Sequence, residues 1–167
     1  MSDVATGTVD LLRVVHHGGF WFARLNRPEK RNALSDALVA AINRDYGNRS
    51  SFETLFIEYF VVLDGIRDTL KHLKRWMKPM KRHVDAMVFP LAKNRLIPQP
   101  LGVMGVIVPW NFPINLSFAP LTAIFAAGNR AMVKMSENSG NLARLLIELS
   151  PKYFPAEKLM FFEDGGG

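Results

Sequence analysis

The sequence predicts an α/β protein in which helices precede the opening part of a doubly wound parallel sheet. Beyond residue 100, apolar segments alternate as strand, helix, strand, helix, strand, which is the order of such a sheet. Residues 103–108 form a continuous run rich in Val and Ile, typical of a strand buried on both faces. Before residue 80, apolar residues recur at helical spacing. Because the alternation stops after three strands, we expect an incomplete domain.

Composition excludes several kinds of protein. The chain has 167 residues, of which 49% are hydrophobic and 22% charged, with a net charge of +6 and no cysteine. This is one domain's worth of residues, with enough apolar side chains for a core. Without cysteine, the chain has no disulfide, no thiolate metal site and no cysteine nucleophile. The amino terminus lacks a secretory signal pattern, so we expect a cytoplasmic protein.

An uncharged stretch, residues 96–129, raises the question of a membrane span. Five prolines interrupt it, and no proline-free apolar run approaches the roughly 20 residues that a spanning helix needs. Buried strands and a buried helix are therefore the favoured interpretation, and no membrane span is expected.

The first elements are predicted to be two short strands and a helix. Residues 11–25 indicate strands on either side of a turn at Gly18 and Gly19. A helix follows Pro28 and stops by Gly47.

A longer helix is predicted between Ser50 and Pro79. Ser50 and Glu53 have the spacing of a capping box, and Pro79 must end the helix. Its apolar face is predicted to consist of Phe52, Leu55, Phe56, Tyr59, Leu63, Ile66, Leu70, Leu73 and Met77. Residues 86–89 and 94–97 are predicted to form an extended pair ahead of a proline-rich turn.

The second part of the chain supplies the alternating segments. The expected strands and helices are, in order, strand 103–108, helix 116–127, strand 131–135, helix 141–149 and strand 158–162. Gly128 and Asn129 mark the end of the first of these helices, and Pro151 closes the second.

A proline-bounded loop follows the first buried strand, with the sequence Val108, Pro109, Trp110, Asn111, Phe112, Pro113. Open α/β sheets bind ligands at the carboxyl ends of their strands. Asn111 offers an amide donor that could stabilise a developing oxyanion. Alternatively, Asn111 satisfies its own backbone in a proline turn, and spacing alone supports both interpretations equally.

Lys134 and Glu137 form a second candidate site near the end of the next strand. A lysine and a carboxylate placed together there can hold the hydroxyls of a ribose, one as donor and one as acceptor. The alternative, favoured on spacing alone, is a local ion pair between the two.

Basic residues cluster in residues 71–83, which hold six lysines and arginines and no acid. Contact with nucleic acid or an acidic membrane is one interpretation. We favour a solvated face whose cations complement the helix dipole, because Trp76 is the only aromatic residue there. No nucleic-acid partner is expected, and the four histidines lack metal-ligand spacing, so no metal site is expected.

One stretch resembles the first nucleotide-binding segment of the aldehyde dehydrogenases: residues 96–137, LIPQPLGVMGVIVPWNFPINLSFAPLTAIFAAGNRAMVKMSE. Within that family, residues 43–55 (NRDYGNRSSFETL) and 75–79 (RWMKP) are most similar to the coniferyl aldehyde dehydrogenase type. The resemblance extends over residues 43–167 and implies a partial Rossmann-type sheet.

The resemblance also implies roles for particular residues. Asn111 would be the oxyanion-hole amide, while Lys134 and Glu137 would contact the adenosine ribose of NAD or NADP. The cofactor site would be lined by Val108, Pro109 and Trp110. Family enzymes attack a small aldehyde with a cysteine thiolate, pass hydride to NAD or NADP, and hydrolyse the thioester with help from a glutamate.

The family's cofactor turn, general-base glutamate and nucleophilic cysteine would follow beyond Gly167. We therefore expect a truncated NAD(P)-dependent aldehyde dehydrogenase that is inactive by itself. A non-catalytic nucleotide-binding or interaction fragment is the alternative. A three-stranded sheet leaves an apolar edge, so we expect self-association.

The amino-terminal segment, residues 8–38, resembles instead the start of the crotonase or enoyl-CoA hydratase family, chiefly through LNRPEKRNAL. This implies a chimeric or truncated reading frame, with a crotonase-type acyl-CoA protein remnant as a further alternative. The expected organisation is a crotonase-like lead-in at residues 1–42, helices and an extended pair at 43–100, and the first part of an NAD(P)-binding domain at 101–167.

Overall fold

The computed structural model describes residues 12–17, 20–25 and 33–165, with side-chain surroundings from residue 36 onwards. Its first elements are the two predicted strands, β1 (Leu12–His17) and β2 (Phe20–Leu25), and they pair antiparallel. The predicted turn at Gly18 and Gly19 lies outside the described residues. Helix α1 (Ala33–Tyr46) follows and ends at Gly47, whose φ of 79° suits glycine.

The long helix forms as one continuous rod with an unusual start. Helix α2 (Ser51–Glu53) leads into a π-helical segment (Thr54–Phe60), and α3 (Val61–Trp76) completes the rod. The predicted capping box is wrong, because Ser50 makes no side-chain capping hydrogen bond and Glu53 pairs with Arg49 at 3.7 Å.

The predicted apolar face of this rod is also wrong in part. Phe52 and Phe56 are 75% and 56% exposed, and their rings stack with that of Phe60 on the solvent side. The side chains that are buried at this end of the rod are Thr54, Glu58 and Val62. Glu58 is buried instead of the phenylalanines because its carboxylate accepts hydrogen bonds from the backbone of another helix.

The next pair of strands is β3 (Met80–Arg82) and β4 (Asn94–Leu96), which run antiparallel. The prediction that residues 86–89 would pair with residues 94–97 is wrong. The Asp85 carboxylate accepts hydrogen bonds from the N–H groups of Met87 and Val88, at 2.9 and 3.3 Å. Those bonds fold the segment into a turn and remove it from a strand.

The parallel sheet consists of β5 (Val103–Ile107), β6 (Arg130–Lys134) and β7 (Leu159–Phe162), side by side in that order. Helix α4 (Pro113–Ala126) connects the first two, and α5 (Gly140–Leu149) connects the last two. Short 3₁₀ turns, Glu137–Ser139 and Ser150–Lys152, flank α5. The predicted alternation is therefore confirmed.

The two ends of α4 agree unequally with the prediction of a helix over residues 116–127. The helix begins at Pro113, three residues earlier than predicted, because proline suits the first position of a helix. The free N–H groups of the first turn of α4 donate to the distant side chain of Glu58. It ends at Ala126, one residue earlier than predicted, and Gly128, the glycine predicted to mark its end, follows with a φ of 80°.

Both connecting helices pack on one face of the sheet. Along β6 and β7, Ala131, Val133, Leu159 and Phe161 are buried in the core cluster with residues of α4 and α5, while the alternate residues are more exposed. The prediction that residues 103–108 would be buried on both faces is wrong, since β5 alternates between partly buried and exposed. The core also joins α1 to the sheet, through Ala41 and Ile42.

Within the described ranges, no helix combines the length and the apolar character that crossing a membrane requires.

Candidate functional site

The carboxyl ends of β5 and β6 meet at one edge of the sheet and bring the two predicted sites together. The N–H of Val108 donates to the carbonyl of Lys134 at 2.9 Å, so the strand ladder continues to the start of the proline-bounded loop. The loop of Asn111 and the strand end of Lys134 therefore belong to the same edge, where parallel sheets bind ligands.

The loop exposes the side chains that would meet a ligand, with one exception. Pro109, Trp110 and Asn111 are exposed, and the Asn111 amide has no hydrogen-bond partner among the described residues. Val108 is only 2% exposed and packs in the core, so it offers the edge its backbone rather than its side chain. The alternative that Asn111 caps its own turn with its side chain finds no support in these contacts.

Backbone carbonyls of the loop are held by residues of the preceding helical region. The hydroxyl of Tyr46, at the end of α1, reaches the carbonyl oxygens of both Trp110 and Asn111, the latter at 2.6 Å. Arg49 Nη1 donates to the same Asn111 carbonyl at 3.3 Å. Burial raises the pKa of Tyr46, although Arg49 opposes the rise, so the hydroxyl stays protonated as a donor at neutral pH.

Glu58 fixes the other end of the loop by capping α4. The residue at the N-cap position, Phe112, has no side-chain acceptor, so the first N–H groups of α4 need one from elsewhere. Glu58 Oε2 accepts from the N–H groups of Ile114 at 2.7 Å and Asn115 at 3.2 Å. A carboxylate there also complements the positive end of the helix dipole.

Arg49 and Glu58 form a buried ion pair beneath the loop. Arg49 Nη1 lies 2.9 Å from Glu58 Oε1, and the two side chains are 4% and 0% exposed. The guanidinium also lies over the rings of Tyr46 and Phe112, at 4.7 and 5.2 Å from their centroids. Burial raises the pKa of Glu58, while its two backbone hydrogen bonds and the Arg49 charge oppose the rise.

Lys134 and Glu137 do not pair with each other, so the favoured alternative of a local ion pair is wrong. The Lys134 ammonium contacts the Asp164 carboxylate, which follows β7. The Glu137 carboxylate instead accepts from Ser136 Oγ at 3.2 Å and from Asn138 Nδ2 at 3.1 Å. Strand β7 brings Asp164 to Lys134 from 30 residues away, which spacing near Lys134 could not show.

A shallow cleft lies beside these groups at the carboxyl ends of β6 and β7. It is lined by Ser136, Glu137, Gly140, Ala143, Arg144, Glu163 and Asp164. Lys134 is 47% exposed, so its ammonium is an accessible donor, and Glu137 is an exposed acceptor. A donor and an acceptor of these types fit the two hydroxyls of a ribose.

Sequence reasoning missed a second carboxylate that caps a helix from a distance. Asp45 Oδ1 and Oδ2 accept from the N–H groups of Asn141 at 2.8 Å and Leu142 at 3.0 Å, at the start of α5. Asp45 and Glu58 thus cap the two helices that connect the sheet strands. A sequence signal existed for Glu58, which stands among apolar neighbours, but nothing local pointed to its partners.

Within the part of the chain that the structure describes, no group of three or more histidines or acids has the arrangement of a metal site.

Comparison with known proteins shows what this arrangement belongs to. The sequence model of the aldehyde dehydrogenase family matches residues 35–163. A probable coniferyl aldehyde dehydrogenase of Pseudomonas aeruginosa is 48% identical over 123 residues, or 74% of this chain and 26% of that protein. A coniferyl aldehyde dehydrogenase of a Pseudomonas species is 47% identical over 131 residues, or 78% of this chain and 26% of that protein. The chain therefore spans about a quarter of the length of these relatives.

Solved structures agree on the fold. The structure of AldH of Staphylococcus aureus in its substrate-bound state aligns with a TM-score of 0.66 and 29% identity, covering 78% of this chain and 30% of that one. A succinic semialdehyde dehydrogenase of Streptococcus pyogenes, solved with NADP⁺, aligns with a TM-score of 0.64 at 16% identity, covering 77% of this chain and 27% of that one. The latter supports the fold alone.

The family match begins at residue 35, so it covers little of the segment that resembles the crotonases. The comparisons lend that resemblance no support, and it stays a prediction. Over the rest of the chain, the proline-bounded loop and the parallel strands agree with the family match. The chain belongs to the aldehyde dehydrogenase family.

Proposed function

We propose that this chain contributes the oxyanion-hole amide and part of the cofactor site of an NAD(P)-dependent aldehyde dehydrogenase, which oxidises an aldehyde to a carboxylic acid. One observation carries the proposal. The exposed, unpartnered amide of Asn111 and the donor and acceptor of Lys134 and Glu137 lie at the carboxyl ends of neighbouring parallel strands.

The role of Asn111 follows from the chemistry of carbonyl addition. When a nucleophile adds to an aldehyde, negative charge develops on the carbonyl oxygen, and a fixed amide N–H stabilises it. Asn111 Nδ2 is such a donor, on a loop stiffened by Pro109 and Pro113 and held by Tyr46. Loss of one such donor costs about 10²–10³ in turnover in other enzymes.

The residues on the cofactor side of the site would each bind a different part of the dinucleotide. The dinucleotide, when bound, accepts a hydride from the substrate. Lys134 would donate to one ribose hydroxyl and Glu137 would accept from the other, while Pro109 and Trp110 would bound the cofactor beside the loop. To do so, Lys134 would exchange its contact with Asp164 for the ribose.

The substrate class rests on the relatives. Two proteins with about half of their aligned residues identical to this chain are named coniferyl aldehyde dehydrogenases. We propose an aromatic aldehyde of that kind as the substrate of the complete enzyme.

The 167-residue chain by itself is proposed to be non-catalytic. The covalent step of the family needs a thiolate, and the chain contains no cysteine. Nucleotide binding without turnover is therefore the activity expected of this polypeptide.

Two measurements on the purified chain test these proposals. Calorimetric titration with NAD⁺ should show binding that Lys134→Met weakens, whereas Lys152→Met, which removes an exposed lysine beyond α5, should leave it unchanged. Absence of NAD⁺ binding, or equal weakening by both variants, would overturn the assignment of the cofactor edge. Formation of NADH from coniferyl aldehyde by this chain would overturn its proposed inactivity.

A further inference from the structure

We propose that Tyr46, Arg49 and Glu58 are positioning residues that hold the Asn111 amide in the geometry of an oxyanion hole. The proposal rests on the function proposed for Asn111 above. None of the three would touch the substrate, since each acts on the backbone of the loop or of the first turn of α4.

The backbone of Asn111 is held from two directions. The Tyr46 hydroxyl, at the end of α1, and Arg49 Nη1, just after it, both donate to the Asn111 carbonyl, at 2.6 and 3.3 Å. Three and four residues later, Glu58 fixes the N–H groups of Ile114 and Asn115. The backbone that carries the Asn111 side chain is therefore held on both sides.

Among the residues that the structure describes, nothing else holds the Asn111 side chain. The Asn111 amide is exposed and has no partner among the described residues, so its position depends on its backbone. Reacting groups need to be placed to within about 0.5 Å for productive geometry. A displacement of about 1 Å can cost roughly 10²-fold in rate.

Two features of this arrangement add little to the stability of the fold, namely the buried ion pair and the π-helical segment. A buried ion pair stabilises a protein little compared with apolar residues of the same shape. Glu58 also lies in a π-helical segment, a rare geometry that occurs frequently at functional sites. The buried ion pair and the π-helical segment both include Glu58, which pairs with Arg49 and caps the start of α4. This combination is expected of a residue that positions a functional loop.

Amide spectra of the isotopically labelled 167-residue chain, recorded from acid to neutral pH without ligand, provide the first test. Protonation of Glu58 should shift the backbone N–H signals of Ile114 and Asn115 and the side-chain amide of Asn111 together, with one midpoint. The midpoint should lie above the ordinary glutamate value, because burial raises the pKa of Glu58. Glu58→Gln should abolish the common titration.

The second test removes one anchor without touching the ion pair. Tyr46→Phe deletes only the hydroxyl and should displace the Asn111 side-chain signal by more than a line width. The matched control is Glu53→Gln, which removes the more distant acid beside Arg49 and should leave that signal in place. A purely structural role would lower the urea midpoint and leave the Asn111 signal of the folded chain unmoved.

Either of two results would overturn the proposal: an Asn111 amide that ignores the titration seen at Ile114 and Asn115, or one that is unmoved in Tyr46→Phe. If Glu58→Gln fails to fold, the titration of the unaltered chain and the Tyr46→Phe spectrum still decide. Because these spectra need no nucleotide, a failure of NAD⁺ binding would count against the proposed function alone.

Discussion

Replacing Arg49 by Met should destabilise the chain strongly, and more so at high pH. The substitution keeps an apolar stem of similar length but removes the cation that faces the fully buried carboxylate of Glu58 at 2.9 Å. Glu58 would retain its two N–H donors on α4, so the lost term is the charge of Arg49 and its bond to the Asn111 carbonyl. Breaking one side of a buried pair costs about 3–5 kcal/mol.

The pH dependence follows from the direction of the Glu58 pKa. Burial already raises it, and loss of Arg49 would raise it further, because the guanidinium is one of the groups that oppose the rise. The native state then binds a proton at a higher pH than the unfolded state does. The free energy of unfolding of the variant therefore falls as pH rises through the native pKa of Glu58, and the loss is least below the ordinary glutamate value.

Urea unfolding followed by circular dichroism, at about pH 5 and about pH 8, measures both quantities. The control is Lys152→Met, which breaks an exposed pair with Glu148 at 3.3 Å and should change the free energy of unfolding by less than about 0.5 kcal/mol. A loss in Arg49→Met that is equal at the two pH values, or no larger than that of the control, would refute the reasoning.

Three further predictions concern the sheet. Gly128→Ala should lower the free energy of unfolding by about 1–2 kcal/mol, because φ is 80° while the nearest atom to a new Cβ is an ordinary 3.6 Å away; an unchanged urea midpoint would contradict this. Asn129→Ala should cost about 1–3 kcal/mol and speed amide exchange at Leu101, whose N–H loses its acceptor at 2.6 Å; unchanged exchange would argue otherwise. We also propose self-association through the apolar edge of the three-stranded sheet at β5, where Ile107 is 82% exposed, with light scattering as the measurement and a monodisperse monomer as the contrary result.

Much of the fold could be predicted because residues close together in the sequence determine most of its strands and helices. The strands and helices beyond residue 100 follow from apolar runs separated by proline and glycine, and the end of α4 follows from the backbone freedom of Gly128. Asn111 and Lys134 could be singled out because each follows or ends a strand of a parallel sheet. Their assigned roles came from family resemblance.

The parts that could not be predicted depend on partners distant in sequence. Glu58 is buried because its carboxylate accepts hydrogen bonds from N–H groups 56 and 57 residues later in the chain. Asp45 likewise accepts from the first turn of α5, 96 residues away. An amphipathic pattern ranks Phe52 and Phe56 above Glu58 for burial, and only the tertiary structure reverses that order. Likewise, Lys134 is expected from spacing to pair with Glu137 but pairs with Asp164, which lies next to it because β6 and β7 are neighbours in the sheet.

The central claim is that the carboxyl ends of β5 and β6 form a single nucleotide site with Asn111 beside it. Amide spectra of the labelled chain during an NAD⁺ titration test this most directly. We expect the Trp110 indole and the backbone N–H of Glu137 to shift together with one saturation curve, while the basic residues 71–83 stay unmoved. Saturable shifts confined to residues 71–83, or different saturation curves at Trp110 and Glu137, would contradict the claim.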